Sequence, residues 1–111
     1  MLRRSLAAGA VVACGLVVTT VATAVPVGAT TSMRAELHRL RICESGNNYR
    51  LHTGNGYFGA YQFSRATWHG LGFHGRPDHA RHATQDRAAR REHAISGWRA
   101  WPSCSQRAHL R

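Results

Sequence analysis

The sequence is short of acidic residues and contains no lysine. Its 111 residues include five Asp and Glu against fifteen basic residues, all of them Arg, which gives a formal net charge of +10. The absence of lysine indicates codon bias in a GC-rich genome and excludes no function. The excess of positive charge favours polyanionic partners, namely nucleic acid, anionic lipid or an anionic cell wall. The length allows one domain at most, and no internal repeat is present.

The N-terminal segment has the layout of a secretory signal peptide. A basic start, residues 1–4, precedes an apolar run, residues 6–18, and small-residue cleavage patterns follow. We therefore predict a signal peptide over residues 1–29. An uncleaved membrane anchor is one alternative, since the apolar stretch is just long enough to span a bilayer. Lipidation at Cys14 is another, disfavoured by the apolar run after it. Export favours the cell wall, so we expect no nucleic-acid partner, and membrane contact only through an uncleaved signal.

Cysteine is scarce as well. Removal of Cys14 with the signal leaves Cys43 and Cys104, which are too few thiolates for a metal site. In an exported chain two cysteines most simply form one disulfide. That bond would close a loop of about 60 residues and stabilise the fold by roughly 4 kcal/mol. We expect the folded domain over residues 30–105 and a flexible tail over residues 106–111.

Hydrophobic periodicity and capping residues predict about three helices. The first starts near Met33 after a cap in residues 30–32, the second follows Ser64, and the third follows Thr84 and ends near Ser96. The stretch between the first two helices is rich in Gly, Asn and aromatic residues. It contains an Asn-Gly turn signal, which predicts a short β-hairpin, near residues 50–53 and 57–61.

One glutamate stands out by its position. The apolar stripe of the first helix, Met33, Leu37 and Leu40, continues by four residues to Glu44, beside Cys43. Apolar surroundings raise a carboxyl pKa because they disfavour the charged form. A carboxylic acid that stays protonated near neutral pH can serve as the general acid of glycoside cleavage. The alternative is a glutamate that merely caps the helix or pairs with an Arg.

The stretch LRICESGNNYRLHTGNGYFGAYQFSRATW, residues 40–68, contains a series of motifs in fixed order. They are Cys-Glu-Ser-Gly-x-Asn-aromatic, Thr-Gly-Asn-Gly-Tyr-aromatic-Gly, Gln-Phe and Thr-Trp, and Ala-Trp-Pro-x-Cys follows near the C-terminus. This series closely resembles the resuscitation-promoting factor domain of actinobacteria, in the transglycosylase-like, lysozyme-like superfamily. The resemblance implies an α+β class: a small lysozyme-like domain with about three helices, a short β-hairpin and one disulfide, between Cys43 and Cys104.

The resemblance also implies a site and a substrate. Glu44 matches the catalytic acid of the family, and the positions that contact sugar fall on Asn55, Tyr57, Gln62, Thr67 and Trp68. The implied substrate is peptidoglycan, cut at the β-1,4 bond between N-acetylmuramic acid and N-acetylglucosamine, without metal or other cofactor. The implied biology is secretion to the cell wall and wall remodelling during regrowth from dormancy. We expect a monomer whose partners are glycan strands, with another wall hydrolase as a candidate.

The shortage of acids bears on the mechanism. A glycosidase with two catalytic carboxylates holds them about 5 to 10 Å apart. Beyond Glu44 the mature chain offers only Glu36, Asp78, Asp86 and Glu92, and we expect the last two on a helix surface. None is an obvious partner, which favours a single-acid mechanism. Glu44 would protonate the glycosidic oxygen and then act as base for the muramic 6-hydroxyl, giving an anhydro end, or for water.

The third helix departs from the resemblance. It is shorter, Ile95 is its only large aliphatic residue, and Ser96 stands where the family often has Gln. These changes favour the alternative of a peptidoglycan-binding module with weak or no activity. A cationic membrane-disrupting peptide is a further alternative, but the first helix has too few bulky apolar residues for it. The spacing of His79 and His82 suits a metal, yet no suitable third ligand completes a zinc site.

Overall fold

The computed structural model describes residues 9–24 and 27–111, and the side chains of the first helix from residue 32 onward. The helices are α1 Val27–Ser45, α2 Arg65–Gly70, α3 His82–Ser96 and α4 Pro102–Arg107. Two 3₁₀ turns, Pro77–His79 and Gly97–Ala100, lie on either side of α3. The structure thus has four α-helices within its described part rather than about three. Helix-rich architecture with one disulfide is consistent with the expected lysozyme-like domain.

Residues 9–24 contribute nothing to the folded domain. Residues 9–24 form no helix or strand, and their valine and leucine side chains are exposed. No helix in the described ranges is both long and apolar enough to cross a membrane. The basic start of the predicted signal, residues 1–4, lies outside the described residues.

Helix α1 starts earlier than predicted. It begins at Val27, so the predicted cap at residues 30–32 lies inside the helix. Its apolar stripe packs as expected, with Leu37 and Leu40 fully buried in the core. The helix ends where Gly46 and Asn47 adopt positive φ angles of 63° and 62°, which the helical backbone cannot continue through.

The predicted β-hairpin is wrong. The described residues contain only two isolated antiparallel bridges in this region, His52 with Phe58 and Phe58 with Phe63. A run of positive φ angles explains the difference, because each one turns the chain before a ladder can extend. They occur at Gly54, Gly56, Gly59 and Gln62. The β part of the expected α+β class is therefore reduced to these two bridges.

The C-terminal half also differs from the prediction. Helix α3 begins at His82, so Thr84 lies in its first turn rather than at its cap, and the helix ends at Ser96 as expected. Helix α4 was not predicted. Residues 106–111, predicted as a flexible tail, extend α4 to Arg107 and bury Leu110 against the core.

The core is built mainly from aromatic rings, because large aliphatic residues are few. Neighbouring rings have centroids 4.8 to 6.4 Å apart and pack in tilted or edge-on pairs. The members are Tyr61, Phe63, Trp68, Phe73 and Trp101. The predicted disulfide between Cys43 and Cys104 is confirmed, with an S–S distance of 2.09 Å. It joins the end of α1 to α4.

Candidate active site

Glu44 lies on the last turn of α1 and lines an open cleft of about 410 Å³. The other walls come from the Gly-rich segment before α2 and from the start of α4. The residues that line this main part are Glu44, Asn55, Tyr57, Gln62, Ala100, Trp101, Pro102 and Ser103. A smaller extension of about 190 Å³ shares Tyr57, Gln62, Ala100 and Trp101 with it and adds Phe63, Ser64, Thr67 and Glu92.

Four of the five predicted sugar-contact residues lie along this cleft. Asn55, Tyr57 and Gln62 share the main part with Glu44, and Thr67 lines the extension. Trp68 does not reach the cleft. It is fully buried in the core, and its Nε1 donates a hydrogen bond to the carbonyl of His74. The prediction for Trp68 is corrected accordingly: in this structure it supports the cleft from below.

The carboxyl group of Glu44 is half-buried and makes no ion pair with any residue that the structure describes. Desolvation by burial raises its pKa above the ordinary value, and the positive charge of Arg107 on α4 partly opposes that rise. The protonated form therefore persists to higher pH than in an exposed glutamate. A carboxyl group in this state can donate a proton to an oxygen atom placed in the cleft.

The residues on each side of Glu44 fix its backbone. Cys43 is bonded to Cys104, with their Cα atoms 5.7 Å apart. The Oγ of Ser45 donates to the carbonyl of Ala60 at 2.8 Å and accepts from the backbone N–H of Asn48 at 3.1 Å. The disulfide thus ties the end of α1 to α4, and the hydrogen bond from Ser45 to Ala60 ties it to the floor of the cleft.

The cleft floor is a tight loop, residues 58–63. It closes through two backbone hydrogen bonds between Phe58 and Phe63, of 2.9 and 3.0 Å. Within it Gln62 has a φ of 53°, an uncommon angle for a residue with a side chain, and its Nε2 donates to the carbonyl of Gly59 at 3.0 Å. Such conformations cost energy and concentrate at functional sites, where the surrounding structure holds them in place.

Gln85 on α3 holds this loop from below, and sequence reasoning did not single it out. Its side chain is 1% exposed. Its Oε1 accepts from the N–H of Ala60, and its Nε2 donates to the carbonyls of Tyr49 and Ala80, all three at 3.0 Å. A Cβ on Gly59 would collide with Gln85 Oε1, so the loop requires glycine there.

Asp86, expected on a helix surface, instead accepts hydrogen bonds from three side chains. Its Oδ1 lies 2.6 Å from the hydroxyl of Tyr61, 2.7 Å from that of Tyr49 and 3.3 Å from Nη1 of Arg41. Burial and the bond to Asp86 raise the pKa of Tyr49 to about 12. This network joins α1 and α3 beneath the cleft. Neither Gln85 nor Asp86 carries a local sequence signal, because their partners are distant in the chain.

The other carboxylates divide into two groups. Glu36, Asp78 and Asp86 do not line the cleft, whereas Glu92 lines its extension, contrary to the expectation of a surface position. Asp78 is buried against Arg76, whose hydrogen bonds hold the pKa of that carboxyl below its usual range. The main part of the cleft therefore contains one carboxylate, Glu44.

The described part of the chain contains no group of three or more His, Cys, Asp or Glu side chains placed to hold a metal. His79 lies 3.7 Å from the carboxylate of Asp78 and 2.9 Å from the guanidinium of Arg76. The ring of His82 stacks on Tyr49, with centroids 3.9 Å apart. The two histidines with ligand-like spacing therefore have different neighbours.

Comparison with known proteins agrees with the sequence motifs. Residues 31–104 match the family described as the transglycosylase-like domain. The resuscitation-promoting factor Rpf of Micrococcus luteus is 40% identical over 72 residues, which are 65% of this chain and 32% of that protein. Rpf1 of Corynebacterium glutamicum is 46% identical over 70 residues, 60% of this chain and 36% of the relative.

RpfE of Mycobacterium tuberculosis is 42% identical over 65 residues, 59% of this chain and 38% of the relative. The chain thus spans about a third of the length of these curated relatives. The resemblance to the resuscitation-promoting factor domain is confirmed. The chain belongs to the transglycosylase-like domain family.

Proposed function

We propose that this chain is a secreted peptidoglycan-cleaving enzyme, a lytic transglycosylase or muramidase that works with a single catalytic glutamate. The observation that carries the proposal is Glu44, a desolvated carboxyl group with a raised pKa and, among the described residues, the only acid that lines the main part of the cleft. The substrate class follows from the resemblance to the resuscitation-promoting factor domain, and membership of the transglycosylase-like domain family supports it. The proposed bond is the β-1,4 linkage between N-acetylmuramic acid and N-acetylglucosamine.

In the first step Glu44, in its protonated form, gives its proton to the glycosidic oxygen as the bond to the muramic C1 breaks. Positive charge then develops on the ring that keeps C1. No second carboxylate lines the main part of the cleft to form a covalent intermediate or to activate water on the opposite face. The N-acetyl group of the substrate therefore supports the developing charge.

In the second step the ionised Glu44 acts as base. If it takes the proton of the muramic 6-hydroxyl, that oxygen bonds to C1 and the product has a 1,6-anhydro end. If it takes a proton from water, the product has a reducing end. Either route returns Glu44 to its protonated form, so the cycle closes without a cofactor.

The exposed ring of Tyr57 and the amides of Asn55 and Gln62 are suited to a glycan strand. Aromatic rings stack on pyranose faces, and amide groups bond sugar hydroxyls and N-acetyl groups. The predicted signal over residues 1–29 and the disulfide both fit a protein that acts outside the cytoplasm. The proposed biological role, from the resemblance to the resuscitation-promoting factor domain, is cell-wall remodelling during resuscitation from dormancy.

The test uses the protein with its disulfide formed, incubated with purified peptidoglycan, and mass spectrometry of the released fragments. Glu44→Gln keeps the size of the side chain and removes the acid. Glu36→Gln, on the same helix and outside the cleft, is the matched control. We expect fragments from the wild type and from Glu36→Gln and none from Glu44→Gln.

The ends of the fragments, anhydro or reducing, identify the second step. If the wild type binds peptidoglycan and releases nothing, the enzyme proposal is refuted and the chain is a binding module. Equal release by the wild type and Glu44→Gln would refute the assignment of the catalytic acid.

A further inference from the structure

The extension of the cleft contains a carboxylate that the proposed reaction does not use. Glu92, on α3, is partly buried and lines the extension together with the hydroxyl residues Ser64 and Thr67. The extension continues directly from the main part, because both are lined by Tyr57 and Trp101. A glycan strand that passes Glu44 in this direction therefore enters the space in front of Glu92.

Glu92 is not paired with a cation in the described part of the chain. Its carboxylate forms no ion pair with any residue in the described ranges. Helix neighbours that could pair with it lie three or four positions away. Those positions hold Ala88, Ala89, Ile95 and Ser96, although the rest of α3 is rich in Arg. A solvated surface glutamate on so basic a helix would be expected to have an arginine at one of these positions.

The charged side chains that line the cleft are acidic, although the protein is basic. Among the described residues no Arg or His lines the main part or the extension, the charged residues that line them are Glu44 and Glu92, and the nearby Arg107 acts on Glu44. Yet the whole chain has a formal net charge of +10. When Glu44 is protonated, as the first catalytic step requires, Glu92 is the remaining negative charge in a partly water-excluded space. Such a space favours a positively charged group on the ligand.

Hydroxyl groups next to Glu92 can serve the rest of the ligand. The Oγ of Ser64 donates to Oγ1 of Thr67 at 3.1 Å, while it also caps α2 by accepting from the N–H of Thr67. The hydroxyl hydrogen of Thr67 is therefore free to donate to a sugar oxygen. The extension thus combines a carboxylate, a free hydroxyl donor and the Tyr57 ring. This combination suits an amine carried on a sugar ring better than an amine without a sugar.

We propose that the extension is a subsite for a glucosamine unit that lacks its acetyl group, with the protonated amine paired to Glu92 and a ring hydroxyl bonded to Thr67. The proposal rests on the proposed function for the orientation of the glycan, but its binding step is separable from cleavage. It makes Glu92 a specificity residue that selects partly deacetylated strands. A side-chain amine on the peptide of peptidoglycan carries the same ammonium chemistry, so the experiment includes it.

The test measures binding by isothermal titration calorimetry in the Glu44→Gln background, where no ligand is consumed. The probes are the trimers of glucosamine and of N-acetylglucosamine, at one pH for all variants at which the sugar amine is protonated. The measured quantity is the preference, the Kd of the acetylated trimer divided by that of the glucosamine trimer. Glu92→Gln is expected to lower this preference about tenfold, the effect of one charge-assisted hydrogen bond.

Glu36→Gln is the matched control, because it changes the net charge by the same amount outside the cleft. It should change the preference less than about twofold, since its effect acts only through screened long-range charge. An equal loss of preference in Glu92→Gln and Glu36→Gln would overturn the proposal. A failure of both trimers to bind would overturn it as well. A third probe is an acetylated trimer that carries a lysine-containing peptide. If Glu92→Gln weakens only this probe, the sugar-amine subsite is refuted.

The two proposals fail separately. Loss of the preference in Glu92→Gln without peptidoglycan cleavage by the wild type would keep the subsite and refute the enzyme. Cleavage by the wild type with an unchanged preference in Glu92→Gln would keep the enzyme proposal and refute the subsite.

Discussion

Replacing the buried Gln85 by leucine should destabilise the domain more than the same replacement of an exposed glutamine. The side chain is 1% exposed and forms three hydrogen bonds of 3.0 Å, to Ala60, Tyr49 and Ala80. Leucine fills a similar volume but leaves one N–H and two carbonyls without partners. At about 1 kcal/mol for each lost bond, the expected loss is about 3 kcal/mol in the free energy of unfolding. That is a large fraction of the stability of a small domain.

Urea unfolding of the oxidised protein measures this loss, and Gln106→Leu provides the control. Gln106 is exposed on α4, and its side chain makes no hydrogen bond within the described residues, so its replacement should change the free energy of unfolding by less than about 0.5 kcal/mol. A loss below about 1 kcal/mol for Gln85→Leu would refute the idea that this side chain holds the cleft floor.

A second variant at the same position tests the direction of the hydrogen bonds. In Gln85→Glu the ionised carboxylate would face the carbonyls of Tyr49 and Ala80 without a donor, so burial and those carbonyls should raise its pKa in the folded state. The folded state then binds the proton more tightly than the unfolded state, and stability should rise as pH falls through that raised pKa. Unfolding midpoints measured across pH, relative to the wild type, should show this slope. A flat profile would mean that the carbonyls do not depend on the amide donor.

Three further predictions follow from the site and its supports. Because burial raises the pKa of Glu44 in the folded state, ionisation of this residue opposes folding. Glu44→Gln should therefore gain stability over the wild type as pH rises through the raised pKa, while the cleavage rate of the wild type falls. Urea unfolding and fragment release across pH test the two trends, and parallel pH profiles of stability in the two proteins would contradict the first. Cys104→Ser should lower the free energy of unfolding by about 4 kcal/mol, since the bond closes a loop with a sequence separation of 61, and Cys43→Ser should lower it by the same amount because it removes the same bond. Unfolding curves equal to that of the wild type would contradict this. Asp86→Asn should lower the free energy of unfolding by about 1 to 2 kcal/mol. It should also bring the pKa of Tyr49 down from about 12 towards 10, which ultraviolet titration of the tyrosines would detect. An unchanged titration would show that the carboxylate of Asp86 does not raise the pKa of that hydroxyl.

Local signals in the sequence predicted the parts of the site that depend on neighbours in the chain. The four-residue spacing of the apolar stripe placed Glu44 at the end of α1, and Ser64 caps α2 as expected, accepting a hydrogen bond from the N–H of Thr67 at 3.2 Å. The Gly-rich segment was misread because an Asn-Gly pair predicts a hairpin only if the residues around it stay extended. Here Gly59 and Gln62 have positive φ angles, which turn the chain back within the stretch that was predicted as the second strand.

The missed residues depend on contacts that the sequence does not display. Gln85 reaches Ala60 across 25 residues, and Asp86 reaches Tyr49 across 37 residues. A polar residue in the first turns of a basic helix looks solvent-exposed until the packing of that helix is known. Glu92 was misplaced for the same reason, because its position facing the extension depends on where α3 lies against α2.

The cleft takes its walls from both ends of the folded domain, and this fixes when it can come into existence during synthesis. Glu44 belongs to the first helix, whereas Trp101, Pro102 and the disulfide partner Cys104 belong to the last segment. A nascent chain that has released α1 while residues 100–104 are still inside the ribosome has the acid without the opposite wall. The cleft therefore forms only after residues up to Cys104 have been synthesised and have folded against α1.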